Sequence, residues 1–130
     1  MSDVKQGEGR SWRVVRAVFS CPGSGIDDIV ADLILDHNRH WVEKPSACGW
    51  WGKEASDDVW PFILKKGGIL DFGANPECPS SSDERFASFA INGKPLRLGE
   101  SYHFAYCDIA ANFKLVSDLE LASFEFADPS

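Results

Sequence analysis

The segment from Ile26 to Trp41 constrains the fold more strongly than any other stretch of the chain. Placed at 100° per residue, its apolar side chains and one histidine fall on a single face, namely Ile26, Ile29, Val30, Leu33, Ile34, His37 and Trp41. Ser24 precedes the segment as a candidate N-cap, and acidic residues at the beginning with basic residues at the end suit the helix dipole. The pattern predicts a long amphipathic helix.

The rest of the chain predicts one short helix and a set of strands. Val59–Lys66 has an early proline and a glycine stop, which indicates the short helix. Asn92-Gly93 predicts a hairpin between two strands. The predicted strands are Trp12–Ser20, Ile69–Phe72, Phe86–Ile91, Leu96–Leu98, Ser101–Cys107, Phe113–Val116 and Leu119–Phe126. We therefore expect an α+β fold, with one long and one short helix packed on an antiparallel sheet of four to six strands.

Length and charge narrow the domain organisation and the class of partner. At 130 residues the chain fits one domain, which we expect at 11–130 behind a flexible tail at 1–10. The polar start lacks the apolar stretch of a secretory signal, which indicates a cytoplasmic, soluble protein. Twenty acidic against thirteen basic residues give a net charge of −7. This charge disfavours nucleic acid and anionic membranes and favours a basic protein partner.

The predicted long helix carries a row of aspartates beside its apolar face. Asp28, Asp32 and Asp36 recur at intervals of four residues. Like charges at this spacing cost about 0.2–0.5 kcal/mol per pair in an isolated helix. Two interpretations fit the row, a solvated helix face or a surface on which a basic partner docks.

No motif in the sequence identifies a reaction. His37 and His40 have a spacing that zinc can use, but Arg39 lies between them and no glutamate accompanies them. His103 and Cys107 are separated by roughly 13 Å on an extended strand, which is too far for a direct hydrogen bond. We therefore predict no catalytic residues, metal or cofactor, and regard an enzyme as the weaker hypothesis.

Tryptophan is concentrated in the middle of the chain. Trp41, Trp50, Trp51 and Trp60 lie within twenty residues, and Trp50 and Trp51 are adjacent between two glycines. Adjacent residues of a strand face opposite sides, so one of this pair is a candidate for exposure. An exposed tryptophan serves as an interface anchor or as a stacking surface, whereas the alternative is that the loop folds back and buries both rings.

Two hypotheses about function follow from these features. The first is a small acidic protein-binding module that inhibits a basic partner through Asp28, Asp32, Asp36, Trp50 and Trp51. In size and charge, though in no motif, such a module resembles bacterial immunity proteins and phage inhibitors of host defence. The alternative is a small-molecule-binding protein or small enzyme. Its cleft between helix and sheet would be lined by Trp41, Trp60, His37, Tyr102 and His103.

Overall fold

The chain forms an all-β barrel in which each strand pairs antiparallel with the next and the last pairs with the first. The computed structural model describes residues 11–44, 46–52, 59–73 and 85–125. Its strands are β1 (Ser11–Ser20), β2 (Ile29–Leu35), β3 (Ala47–Trp51), β4 (Trp60–Lys65), β5 (Ile69–Asp71), β6 (Phe86–Phe89), β7 (Ser101–Tyr106) and β8 (Ile109–Glu125). The prediction of an α+β fold is wrong, because no element of the described chain is a helix. The predicted tail at 1–10 lies outside the described residues.

The predicted long helix at 26–41 is instead the strand β2 followed by a turn. Alternate residues of β2 point into the barrel and are fully buried, namely Ile29, Ala31, Leu33 and Leu35. The apolar residues of this segment satisfy a period of two as well as a period of 3.6. Pairing with β1 on one side and β3 on the other supplies the backbone hydrogen bonds and decides between the two periods.

The predicted short helix at 59–66 is also a strand. Phe62 and Leu64 of β4 are buried in the barrel, whereas Ile63 and Lys65 between and after them are exposed. Trp50 and Trp51, which the sequence predicts to lie in a loop, belong to β3. The residues of β3 and β4 alternate between the inside and the outside of the barrel because each strand pairs with a neighbour on both sides. A single sequence does not show which strands are neighbours.

Several strand predictions are confirmed, and one hairpin is not. The predictions at 12–20, 69–72 and 101–107 agree with β1, β5 and β7 to within one residue at each end, and two predicted strands near the C-terminus merge into β8. Asn92-Gly93 does not form a two-residue hairpin. It lies in a longer connection between β6 and β7, and Leu96 in the same connection is buried rather than part of a strand.

Large side chains fill the described interior of the barrel. Aromatic rings meet edge to face with centroids 4.8–6.1 Å apart, and these are Phe19, Phe89, Tyr102, Phe104 and Phe113. An eight-stranded barrel is wide enough either to be filled by side chains or to hold one small ligand. The described interior of this barrel is a packed core, so a binding surface is expected at its ends or on its outer wall.

One end of the barrel, which we call the closed end, is sealed by the connections between β2 and β3 and between β6 and β7. The guanidinium of Arg39 donates from Nε to the carbonyl of Leu96 at 2.6 Å and from Nη2 to Oδ2 of Asp118 at 2.5 Å. Trp41 and Leu96 are buried beneath this junction. The hydroxyl of Tyr102 donates to the carbonyl of Pro95 at 2.8 Å, and burial raises the pKa of this phenol. These contacts fix two long connections over the core.

Among the described residues, no helix has the length and the apolar character needed to cross a membrane.

Candidate functional site

Four aromatic side chains meet at the end of the barrel opposite the closed end. Trp51 ends β3, Trp60 begins β4, Phe72 follows β5 and Tyr106 ends β7. Because successive strands are antiparallel, the ends of odd-numbered strands and the starts of even-numbered strands lie on the same side. We call these four residues the aromatic rim.

The rings of the aromatic rim hold one another in fixed positions. The centroid of Trp51 lies 5.9 Å from that of Trp60 and 5.5 Å from that of Tyr106, and Phe72 lies 5.4 Å from Tyr106. Phe104 supports Trp51 from the core at 5.2 Å. Edge-to-face pairs of this kind contribute about 0.5–1.5 kcal/mol each beyond the area that they bury. The rim is therefore a rigid extension of the core.

Trp60 is the member of the aromatic rim that faces solvent most fully. Its side chain is 49% exposed, whereas Tyr106 is buried and Trp51 and Phe72 are partly buried. A tryptophan held in this way loses little conformational entropy when another molecule covers it. Trp60 has the properties of an interface anchor.

Three acidic residues lie at the same end of the barrel as the aromatic rim. Nε1 of Trp51 donates to the carbonyl of Asp27 at 3.0 Å, and the amide of Gly52 donates to the carbonyl of Asp28 at 3.0 Å. Asp108, in the turn between β7 and β8, is exposed at the same end. The hydrogen bonds to the backbone therefore place two of the three acidic residues directly beside a rim tryptophan.

The described connections at the two ends of the barrel also differ in net charge. At the rim, the connections 21–28 and 107–108 hold three acidic residues and no lysine or arginine. At the closed end, the connections 36–44, 66–68 and 90–100 hold three acidic residues and five lysines or arginines. Among the described connections, the rim end is therefore the more acidic one.

A groove in the outer wall adjoins the aromatic rim. Among the described residues, β6 and β7 pair at only two positions, Ser88 with Ala105 and Phe89 with Phe104. Where this ladder stops, a groove of about 760 Å³ opens between the two strands. Phe86, which is 41% exposed, lines the groove, and Tyr106 belongs to both the groove and the rim.

A buried carboxylate fixes the strands that lead to the rim and the groove. Asp71 is only 6% exposed and accepts hydrogen bonds from Nζ of Lys65 at 2.7 Å, from Nε of Arg85 at 2.9 Å and from the amide of Gly73 at 2.9 Å. These donors, Arg85 foremost, hold the pKa of Asp71 well below its usual range. The guanidinium of Arg85 also lies 5.0 Å from the centroid of Phe86. Asp71 thereby holds together the strands β4, β5 and β6.

The residues predicted to bind a partner are divided among three places. Trp51 and Asp28 lie at the rim. Asp32 and Trp50 lie on the outer wall around Arg16, whose guanidinium binds both oxygens of Asp32 at 2.8 and 2.9 Å and stacks over Trp50 at 5.2 Å.

Asp36 lies towards the closed end, where its Oδ1 accepts the amides of Asn38 at 2.8 Å and His40 at 3.0 Å. The predicted row of aspartates does not form. Four residues of extended strand separate successive members by roughly 13 Å, in place of one helical turn.

The residues predicted for a small-molecule cleft do not converge. Trp41 and Tyr102 are buried towards the closed end, and Trp60 lies at the opposite rim. His37 is exposed in the turn after β2, and His103 is exposed on β7 with Nδ1 3.3 Å from Oδ1 of Asn112. The cleft between helix and sheet is wrong because the described chain has no helix.

Phe72, Phe86 and Asp108 are not among the site residues predicted from the sequence. Phe72 and Tyr106 stand at strand ends, immediately before a glycine and before a two-residue turn. An aromatic residue at the last position of a strand, repeated in several strands, is the signal that would have indicated a rim. This signal can be recognised only once the segments before these aromatic residues are known to be strands.

Within the described residues, no three histidine, cysteine or acidic side chains are grouped so that they could hold a metal ion. No family model matches the chain, and no significantly similar curated protein or solved structure was found.

Proposed function

We propose that this protein is a binding module that inhibits a basic partner protein by covering it with the aromatic rim. The observation that carries the proposal is the half-exposed Trp60, held on a rigid aromatic cluster at the end of the barrel that also carries Asp27, Asp28 and Asp108. Interfaces depend on a few such anchors, and tryptophan is enriched among them.

The filled interior favours a surface function over a ligand held inside the barrel. This end of the barrel carries both aromatic rings and acidic residues, which suits a partner surface that combines an apolar contact with lysine or arginine side chains. Acidic groups around an apolar centre speed the encounter with a basic protein and disfavour acidic ones. The proposal includes a cytoplasmic protein that binds neither nucleic acid nor membranes.

The proposal is tested by isolating the partner and then removing the anchor. Full-length tagged protein is purified from its own cells, and any stoichiometric partner is identified by native mass spectrometry and purified. The dissociation constant is then measured for the natural protein and for Trp60→Ala. We expect at least a 30-fold loss of affinity, which corresponds to the roughly 2 kcal/mol of an interface anchor, and a binding constant that falls as salt rises.

Leu119→Ala provides the matched control, because Leu119 is 63% exposed on the outer wall of β8, away from the rim. Its affinity should stay within twofold of the natural protein. The proposal would be abandoned if the partner were acidic, if Trp60→Ala bound normally, or if a small molecule co-purified in place of a protein.

A further inference from the structure

The main chain of β6 alternates between its two neighbours. The amide of Phe89 donates to the carbonyl of Gly68 at 2.7 Å, so the odd-numbered residues of β6 face β5. The amide of Ala90 donates to the carbonyl of His103 at 2.8 Å, so the even-numbered residues face β7. By this alternation the amide and carbonyl of Phe86 point towards β7, at a position where the ladder with β7 has already stopped.

The groove beside Phe86 is lined by both small and aromatic side chains. Its lining includes Ser88, Ala105 and the ring of Phe86, which lies near the guanidinium of Arg85. A strand added to an exposed edge gains affinity from main-chain hydrogen bonds and specificity from pockets for alternate side chains. Here the main chain of Phe86 would supply hydrogen bonds to a bound segment, and the groove would supply space for its side chains.

The charge of the groove indicates the kind of segment that fits. Asp108 is the one charged side chain in its described lining, and it is exposed at the end nearest the rim. Tyr106 makes the groove continuous with the aromatic rim. A segment that leaves the rim along the groove therefore passes a carboxylate and then an exposed phenylalanine.

We propose that the groove between β6 and β7 holds an extended, basic segment of the partner, which hydrogen-bonds through its main chain to Phe86. The inference rests on the proposed function and extends the interface from the rim onto the outer wall. It assigns the anchoring of a partner side chain to Trp60 and the pairing with the partner's main chain to β6.

Peptides displayed from a random twelve-residue library serve as the probe, selected on the immobilised full-length protein. We expect the selected peptides to be rich in lysine or arginine with one or more apolar residues. Affinities are then measured for Ser88→Arg, which fills the groove, and for Ser117→Arg, which makes the same change on the outer wall of β8. Ser88→Arg should weaken binding at least tenfold, and Ser117→Arg should change it less than twofold.

Main-chain pairing is tested separately by methylating each amide nitrogen of the best peptide in turn. Methylation removes one donor, and Phe86 offers one main-chain carbonyl to the peptide, so the affinity should fall sharply at a single amide position and much less at its neighbours. Asp108→Lys is the second variant, since an exposed turn residue tolerates substitution, and it should weaken binding about tenfold. Thermal unfolding of each variant verifies that the barrel is intact.

The outcomes separate the groove from the proposed function. If Trp60→Ala abolishes peptide binding while Ser88→Arg and Asp108→Lys do not weaken it, the groove inference is wrong and the rim proposal survives. If selected peptides are not basic and bind all variants alike, both proposals fail. An absence of any selected peptide, or a methylation series in which no single position weakens binding, also overturns main-chain pairing in the groove.

Discussion

Asp71 receives two hydrogen bonds from the guanidinium of Arg85, at 2.9 and 3.2 Å, where β5 lies beside β6. Asp71→Asn removes the negative charge from a buried position and leaves the donors without a carboxylate. We expect the free energy of unfolding at pH 7 to fall by about 2 kcal/mol, the magnitude typical of hydrogen bonds to a charged group. Urea denaturation of the two proteins measures the difference.

The same pair predicts a dependence on pH. The pKa of Asp71 is lower in the folded protein than in the unfolded chain, so its stabilising effect is complete above the unfolded pKa near 4. It is lost as the pH falls towards the folded pKa. The difference in the free energy of unfolding between the natural protein and Asp71→Asn should therefore shrink below pH 4.

Asp32→Asn, which breaks a more exposed ion pair with Arg16, should lower the free energy of unfolding by less than about 1 kcal/mol at pH 7.

Gly49 allows β2 and β3 to approach closely. A Cβ added at this position would lie 2.1 Å from the carbonyl oxygen of Val30 and 2.8 Å from Cζ of Phe62. Backbone cannot yield cheaply to such an overlap, so Gly49→Ala should lower the free energy of unfolding by about 3 kcal/mol or prevent folding. The neighbouring exposed Cys48→Ala should change the stability by less than about 0.5 kcal/mol. Equal effects of the two substitutions on the melting temperature would contradict this account of the glycine.

The filled interior can be probed by emptying part of it. Phe104→Ala removes a fully buried ring that contacts Phe89, Phe113 and Trp51. We expect a loss of about 3–5 kcal/mol and a dry, apolar cavity. Benzene should then raise the melting temperature of the variant but not that of the natural protein. A benzene-dependent rise in the natural protein would show that its barrel already contains an empty space.

Substitutions of the two tryptophans in the aromatic rim should differ in their effect on stability. Trp51 is packed among four rings, so Trp51→Ala should cost about 3 kcal/mol in the free energy of unfolding. Trp60 is already half in water, and Trp60→Ala should cost no more than about half as much. Guanidinium unfolding of both variants measures this. If Trp60→Ala lowered the free energy of unfolding more than Trp51→Ala, Trp60 would be a packed core residue and not a solvent-facing anchor.

The sequence predicts the ends of the chain better than its middle, and the reason is physical. β1, β7 and most of β8 carry β-branched and aromatic residues between clear turn signals. β2 carries the same kinds of residue, but the apolar residues of its segment also fit a period of 3.6, and Asp32 with the flanking Asp28 and Asp36 has the spacing of a helix face. Asp32, the middle residue of the predicted aspartate row, is instead the cross-strand partner of Arg16. A cross-strand partner sixteen residues away cannot be recognised from local periodicity.

The same limit explains why the sequence predicts only part of the candidate site. It indicates an exposed tryptophan at Trp50 or Trp51, because adjacent residues of a strand face opposite sides. Trp50 does face outwards, but Arg16 covers it, and the ring that extends furthest into solvent at the rim is Trp60. Which end of the barrel a residue reaches depends on strand order, and strand order depends on contacts between segments that are distant in sequence.

The closure of the barrel between β1 and β8 has a consequence for folding. Each of the other pairings joins neighbouring strands, whereas β1 and β8 join residues that are more than ninety positions apart, from Ser20–Lys114 to Ser11–Glu125. Loop entropy makes such a contact the slowest to form, so seven hairpin-like pairings can assemble before the seam does. Until then both seam strands present open edges, and Phe113 and Leu115 of β8, which the closed barrel buries, are not yet covered. The time that the nascent chain spends as an open sheet is thus its period of greatest risk of aggregation.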